Sequence, residues 1–123
     1  MSHIKLNPHA FVLAVNDLAG SADYFINVLG FELEWKDGTV WQGLVRDSVR
    51  LRIGNCPDAM FPSDLGDHSY FAYIETQNID RLFDEFSERG AIIRSKPDNK
   101  EWGWREMAVG TPEGHRLMFA QKI

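Results

Sequence analysis

The five residues Trp102-Gly103-Trp104-Arg105-Glu106 hold the densest chemistry in this chain of 123 residues. Two indoles offer broad flat surfaces beside a guanidinium and a carboxylate, which is what a small-molecule pocket requires. In such a pocket Trp102 and Trp104 would stack on a ligand while Arg105 and Glu106 orient it. The same spacing also suits tryptophans packed in a β core or at an interface. The element that must position them reads as a hairpin: a strand over 104–109, a turn at Thr111-Pro112-Glu113-Gly114, and a return strand over 117–120.

Composition narrows the setting. Hydrophobic residues make up 44% of the chain and no stretch reads as a linker or low-complexity tail, so one domain over 1–123 is expected. Acidic residues outnumber basic ones by 18 to 13, and the basic ones are scattered. Neither a nucleic-acid stripe nor a polybasic membrane patch results. Lys5, Asn7, Pro8 and His9 interrupt the N-terminal stretch before a run of signal-peptide length, and no apolar run reaches the roughly 18 residues of a membrane span. A cytoplasmic protein with no membrane or nucleic-acid partner is the expectation. The single Cys56 cannot form an internal disulfide, agrees with a reducing compartment and lacks a local nucleophile signature. There is no Gly-x-Ser-x-Gly elbow, Gly-x-Gly-x-x-Gly fingerprint or phosphate loop. The carboxylate pairs Glu32/Glu34 and Asp84/Glu85 fall on surfaces expected to be solvated.

The elements repeat. A short apolar strand over 11–15 is followed by Asn16 or Asp17 as a helix cap, then by Leu18, Ala22, Phe25, Val28 and Leu29 at helical spacing, with Gly30 as the stop. Strands over 31–35, 39–45 and 49–53, with turns at 36–38 and 46–47, make a meander. Residues 55–67, rich in Pro, Asp, Gly and Ser, form the one internal boundary. The pattern then restarts with a strand over 69–74, a helix capped by Gln77 or Asn78 that buries Ile79, Leu82, Phe83 and Phe86, and a stop at Gly90, 60 residues after Gly30. Strands over 91–93, 104–109 and 117–120 complete it. Two βαβββ modules, 1–54 and 68–123, joined by the loop 55–67, predict an α+β, pseudo-twofold fold in which each module covers an apolar face of the other.

This pattern resembles the vicinal-oxygen-chelate (glyoxalase/bleomycin resistance protein/dioxygenase) superfamily over nearly the whole chain. The likeness rests on Ala14-Val15-Asn16-Asp17-Leu18, Tyr24-Phe25, Val28-Leu29-Gly30-Phe31, the hairpin over 43–53, and Trp102-Gly103-Trp104-Arg105-Glu106 with Thr111-Pro112-Glu113-Gly114. The last two segments look most like the bleomycin-resistance branch. The resemblance implies that each module bends a mixed β-sheet into a half-cup with helices outside and a ligand cavity inside. It also implies a homodimer whose chains share or swap modules.

The resemblance further implies that enzymes of the superfamily carry metal ligands on the first and last strand of each module. Those positions fall on Ala10 and Ser69, near Arg52, and on Met118, none of them a ligand of the usual kind. His9 and His68 stand one residue earlier, each six before a strand end at Val15 or Ile74. A shift of one would restore two imidazoles, with Glu106 or Glu113 as the carboxylate, but would also turn the side chains to the other sheet face. Strand alternation sends Phe11, Leu13 and Val15 toward the helix with His9, and Ala10, Val12 and Ala14 toward the cup. It leaves Arg50 and Arg52 inward, joined by Ser69, Phe71, Tyr73, Arg116 and Met118; Trp41 is a further candidate for ligand contact. Arg50 and Arg52 could instead be solvated on an exposed face. An aromatic, locally basic cup suits a planar aromatic or anionic ligand. The expected function is metal-independent binding of a small molecule, with no cofactor, by a sequestering, antibiotic-resistance-like protein. The alternative is a metal-dependent lyase, isomerase or dioxygenase using a divalent metal ion on His9, His68 and a glutamate; a third reading is a protein-interaction module whose cup is filled by side chains.

Overall fold

The computed structural model describes residues 3–66 and 68–123. Strand β1 (Phe11–Val15) alternates as its sequence dictates, with Leu13 and Val15 buried and Val12 and Ala14 exposed. Helix α1 (Leu18–Asn27) starts at Asp17, whose carboxylate accepts the Gly20 amide at 3.0 Å. Three strands follow, β2 (Glu32–Asp37), β3 (Trp41–Arg46) and β4 (Val49–Asn55). The loop beyond β4 contains one short 3-10 turn, Pro62–Asp64. The second module repeats the order with β5 (Ala72–Glu75), α2 (Ile79–Glu88), β6 (Ile92–Asn99), β7 (Trp104–Gly110) and β8 (Arg116–Lys122).

The duplication is visible in the pairing. The first sheet is ordered β1-β4-β3-β2 and the second β5-β8-β7-β6, with the outer pair β1/β4 or β5/β8 parallel and the rest antiparallel. Gly30 and Gly90 occupy matching places just past the two helices, at φ 79° and 83°.

Several boundaries move from those the sequence suggests. Strand β5 begins at Ala72 rather than at residue 69, because the Ser69 hydroxyl turns back onto the Gly66 carbonyl at 2.6 Å and holds the preceding segment in the loop. Strand β6 runs well beyond 91–93, straight through Pro97. It is an edge strand with two register shifts, so a proline without an N–H leaves no ladder bond unmade. Strand β2 takes in Lys36 and Asp37, which read as a turn in sequence.

One core serves both modules. Leu13, Val15, Phe25, Leu44 and Ile53 of the first pack in the same cluster as Ile79, Phe86, Met107, Val109 and Leu117 of the second. Polar groups stitch this junction. The Tyr24 hydroxyl donates to the Gly110 carbonyl at 2.6 Å and accepts the Ile92 amide at 3.0 Å, so α1 is pinned to β6 and β7 of the other module. Each buried hydrogen bond of this kind contributes about 1 kcal/mol. Tyr24→Phe should therefore lower unfolding free energy by about 1–2 kcal/mol in urea denaturation; an unchanged midpoint would remove this hydroxyl from the junction.

The consequence for function is orientation. Both sheets turn their helix-bearing faces to the common core and their opposite faces outward, where Val12 and Tyr73 are exposed. Among the described residues no helix is long and apolar enough to cross a membrane.

Candidate functional site

The outward face of the first sheet is assembled by alternation along β4. Leu51 and Ile53 point into the core, so Arg50, Arg52 and Gly54 share the open face. Their cross-strand partners on β3 are Val45, Gly43 and Trp41, and Trp35 on β2 lies opposite Gly43. The two glycines are seats for the two indoles. A Cβ on Gly43 would fall on Trp35 Nε1 well inside van der Waals contact, and one on Gly54 would lie 2.7 Å from the Trp41 ring. Between the rings lies Arg52, its guanidinium carbon 5.2 Å from the Trp35 centroid and 5.6 Å from that of Trp41. The guanidinium is thus held by two cation–π contacts rather than by an acid. Arg50 is half-buried beside them, its Nε 3.3 Å from Glu34.

The second sheet builds a different surface. Glu106 on β7 is only 6% exposed, and its Oε2 accepts hydrogen bonds from the Tyr73 hydroxyl and the Trp102 indole N–H, both at 2.7 Å. Tyr73 reaches it across β8, where the facing residue Ala120 is small. Trp104 stands edge-on to Tyr73 at 6.0 Å, and Met118 lies on the same face between Tyr73 and Ala108. Tyr73 titrates high, pushed up to about 12 by desolvation, then by its bond to Glu106 and by the charges of Glu106 and Glu75. It remains a hydrogen-bond donor across the ordinary pH range. Of the residues the sequence singles out, Trp102, Trp104, Tyr73 and Glu106 are therefore brought together, with Met118 beside them.

Other candidates are placed elsewhere. Arg105 is on the helix side of β7, paired with Asp80 of α2 at 3.0 Å and with Asn99 at 3.0 Å, because neighbours in a strand face opposite ways. It braces α2 and does not orient a ligand beside Glu106. Phe71, outside β5, turns from the cup into the seam between modules, packing edge-on against Phe11 and His115. Arg116, expected to be inward, is buried and donates to the Gly66 and Leu65 carbonyls of the connecting loop. Ser69 belongs to that loop as well.

Glu113 is committed to the junction. Its carboxylate accepts the Asn16 and Asp17 amides at 2.7 and 2.9 Å and the Ser21 hydroxyl at 3.1 Å, so the turn of the second module caps the helix of the first. Burial opposes its ionisation, but these hydrogen bonds outweigh that and hold it below the usual carboxylate range. Beside it, buried His115 contacts the Ala14 carbonyl through Nε2 and the Thr111 hydroxyl through Nδ1, both at 3.2 Å. Burial lowers its pKa, against the opposing pull of Ala14 and Glu113.

His9 is exposed at a cleft of about 370 Å³ between the start of β4 and β5, lined also by Arg50, Tyr73 and Glu75. His68 is exposed in the connecting loop at φ 71°. Among the described residues no three His, Cys, Asp or Glu side chains are grouped so as to hold a metal ion, and the Glu106 oxygen nearest the aromatic rings already takes two hydrogen bonds. A larger hollow of about 480 Å³, around Arg46, Asp47, Glu85 and Arg89, is a charged surface saddle in which Arg46 and Glu85 pair at 2.8 Å. It lies apart from the aromatic faces.

Trp35 is the residue that sequence reasoning missed. The bulge between Leu33 and Trp35 shifts the alternation of β2, so counting by twos from Phe31 does not find its partner. The available signal was Gly43 and Gly54, two glycines inside strands, which mark close approach by another group.

Comparison with known proteins agrees with this architecture. The family model for the Glyoxalase/Bleomycin resistance protein/Dioxygenase superfamily matches residues 7–119. No curated protein sequence matches. The fold is similar to that of TioX from Micromonospora sp. ML1, with a TM-score of 0.75 and 22% identity over 95% of this chain and 100% of that one. It is similar too to the bleomycin-binding protein of bleomycin-producing Streptomyces verticillus, solved with copper(II)-bleomycin, at a TM-score of 0.73 and 24% identity over 95% and 97%. A third likeness is TnmS3, an antibiotic-binding protein from Streptomyces sp. CB03234, at 0.72 and 20% over 98% and 100%. With its paired βαβββ modules and a match spanning almost its full length, the chain belongs to the glyoxalase/bleomycin resistance protein/dioxygenase superfamily.

Proposed function

We propose that this protein binds and sequesters a planar aromatic molecule bearing an anionic group, without a metal, in a cavity completed by a second copy of the chain. The observation that carries this reading is Arg52, held between Trp35 and Trp41 on an open sheet face. A guanidinium fixed over two indoles adds a ligand ring to an existing stack and still offers its N–H edge to a carboxylate or sulfonate. Two structurally similar proteins that bind antibiotics make a binding role on this scaffold reasonable. The outward-facing cups, shallow in one chain, favour a dimer in which each cavity has two walls.

Titration with 2-naphthoate and anthraquinone-2-sulfonate, followed by tryptophan fluorescence, tests the reading. Arg52→Ala should weaken binding at least tenfold, or about 1.4 kcal/mol. Equal affinity in the variant would remove Arg52 from the site. Metal independence has its own test, elemental analysis after equilibration with manganese, iron, cobalt, nickel or zinc and desalting. Near-stoichiometric retention, lost in His9→Ala and His68→Ala, would replace this reading with the metal-dependent enzyme.

A further inference from the structure

The two open faces differ in charge. Along one cross-strand row of the second sheet the residues are Glu75, Ala120, Glu106 and Asp98, three carboxylates around one methyl group. Directly paired residues share a face, so all three acids belong to the surface that carries Tyr73 and Trp104. No ion pair reaches Glu75 or Glu106 among the described residues, and Asp98 has only a 3.5 Å contact with Lys100.

Glu106 is the centre of this row. It is more than nine-tenths buried, both of its hydrogen bonds fall on Oε2, and among the described residues Oε1 has no partner, yet it is not among the atoms shut off from solvent. That second oxygen faces the open side of the sheet row and is free to meet a ligand. Above it are aromatic walls that the same carboxylate fixes in place: Trp102, 64% exposed, and Tyr73, 51% exposed, each tied by its polar end, with Trp104 edge-on to the tyrosine. Rings locked with their faces open, over a buried negative charge, attract a weakly hydrated cation both through their quadrupoles and through the carboxylate.

We infer that Trp102, Trp104, Tyr73 and Glu106 form a subsite for an organic ammonium group, quaternary or alkylated. The inference rests on the small-molecule-binding reading above and deepens it. In the dimer proposed above, the first sheet face of one copy takes the anionic aromatic part of a ligand and the second sheet face of its partner takes a cationic part, so the molecule that spans both walls carries both charges.

The probe is choline against its neutral isostere 3,3-dimethylbutan-1-ol, which has the same shape without the charge. Nuclear magnetic resonance of the tryptophan indole N–H groups reports binding. Choline should shift the Trp102 and Trp104 signals saturably, at least fivefold more tightly than the alcohol, and Glu106→Gln should abolish that preference. Should Glu106→Gln fail to fold, Trp102→Leu at an exposed position should weaken choline at least threefold. Equal binding of choline and the alcohol, or a preference that survives Glu106→Gln, overturns the inference. Because 2-naphthoate is titrated separately on the same wild-type protein, its binding without choline binding would sink this subsite and leave the broader reading in place. Loss of both would sink the two together.

Discussion

Gly43→Val is expected to cost at least tenfold in affinity for a planar aromatic acid while leaving the fold intact. A side chain at this position occupies the space of the Trp35 indole, which must swing off the sheet and take with it half of the stack around Arg52. Trp35 is 36% exposed and belongs to a peripheral strand, so its displacement removes little from the core. Valine is also a better strand former than glycine, which offsets part of any local disturbance. The measurement is a fluorescence titration with 2-naphthoate alongside a thermal melt. Trp35→Ala should give a similar loss, and the double variant no more than either alone, because both changes remove one and the same contact. Additive losses would show that Gly43 serves something other than the Trp35 seat.

Acidification is expected to destabilise the protein in two stages, both acting at the module junction. His115 has a lowered pKa in the fold, so its contribution is complete above its ordinary value of 6.5 and declines as pH falls from there through the folded value. In its neutral form Nε2 donates to Ala14 and Nδ1 accepts from Thr111; protonation puts a charge in a buried site and takes away that acceptor. Glu113 also titrates low, so its stabilisation is complete above its ordinary 4.5 and is lost as pH drops through the folded value. Urea denaturation from pH 8 to 3 should show a falling midpoint below about 6.5 and a steeper fall below about 4.5. Glu113→Gln should lower stability by about 2 kcal/mol at neutral pH and flatten the lower stage, since a neutral amide is a weaker acceptor for the donors of Asn16, Asp17 and Ser21. A Glu113→Gln profile parallel to wild type would separate this carboxylate from acid sensitivity.

How much of this was legible in the sequence depends on how local each determinant is. The duplication, the two helices and the open face of β4 follow from spacing within short windows, and Trp102, Trp104, Tyr73 and Glu106 do converge. Misplaced residues belong to long-range contacts. Arg105 is settled by Asp80 on a neighbouring helix, Arg116 by the connecting loop, and Phe71 by the seam with β1. Glu113 read as a turn residue and as an alternative metal carboxylate, and nothing near it in sequence announces that it caps α1. Trp35 was hidden by a bulge, which breaks the period-two rule on which the reading of every strand relied.

The cap on α1 bears on how the chain matures on the ribosome. The first module has all its strands and its helix once residue 55 has been made, yet the amides of Asn16 and Asp17 wait for a carboxylate that is synthesised 97 and 96 residues after them. Likewise Tyr24 waits for Gly110, and Ala14 for His115. The N-terminal half therefore leaves the ribosome without these contacts, and its share of the common core is covered only once the second module has been made. Nascent chains that stop short of the last hairpin are the ones exposed to chaperones and proteases.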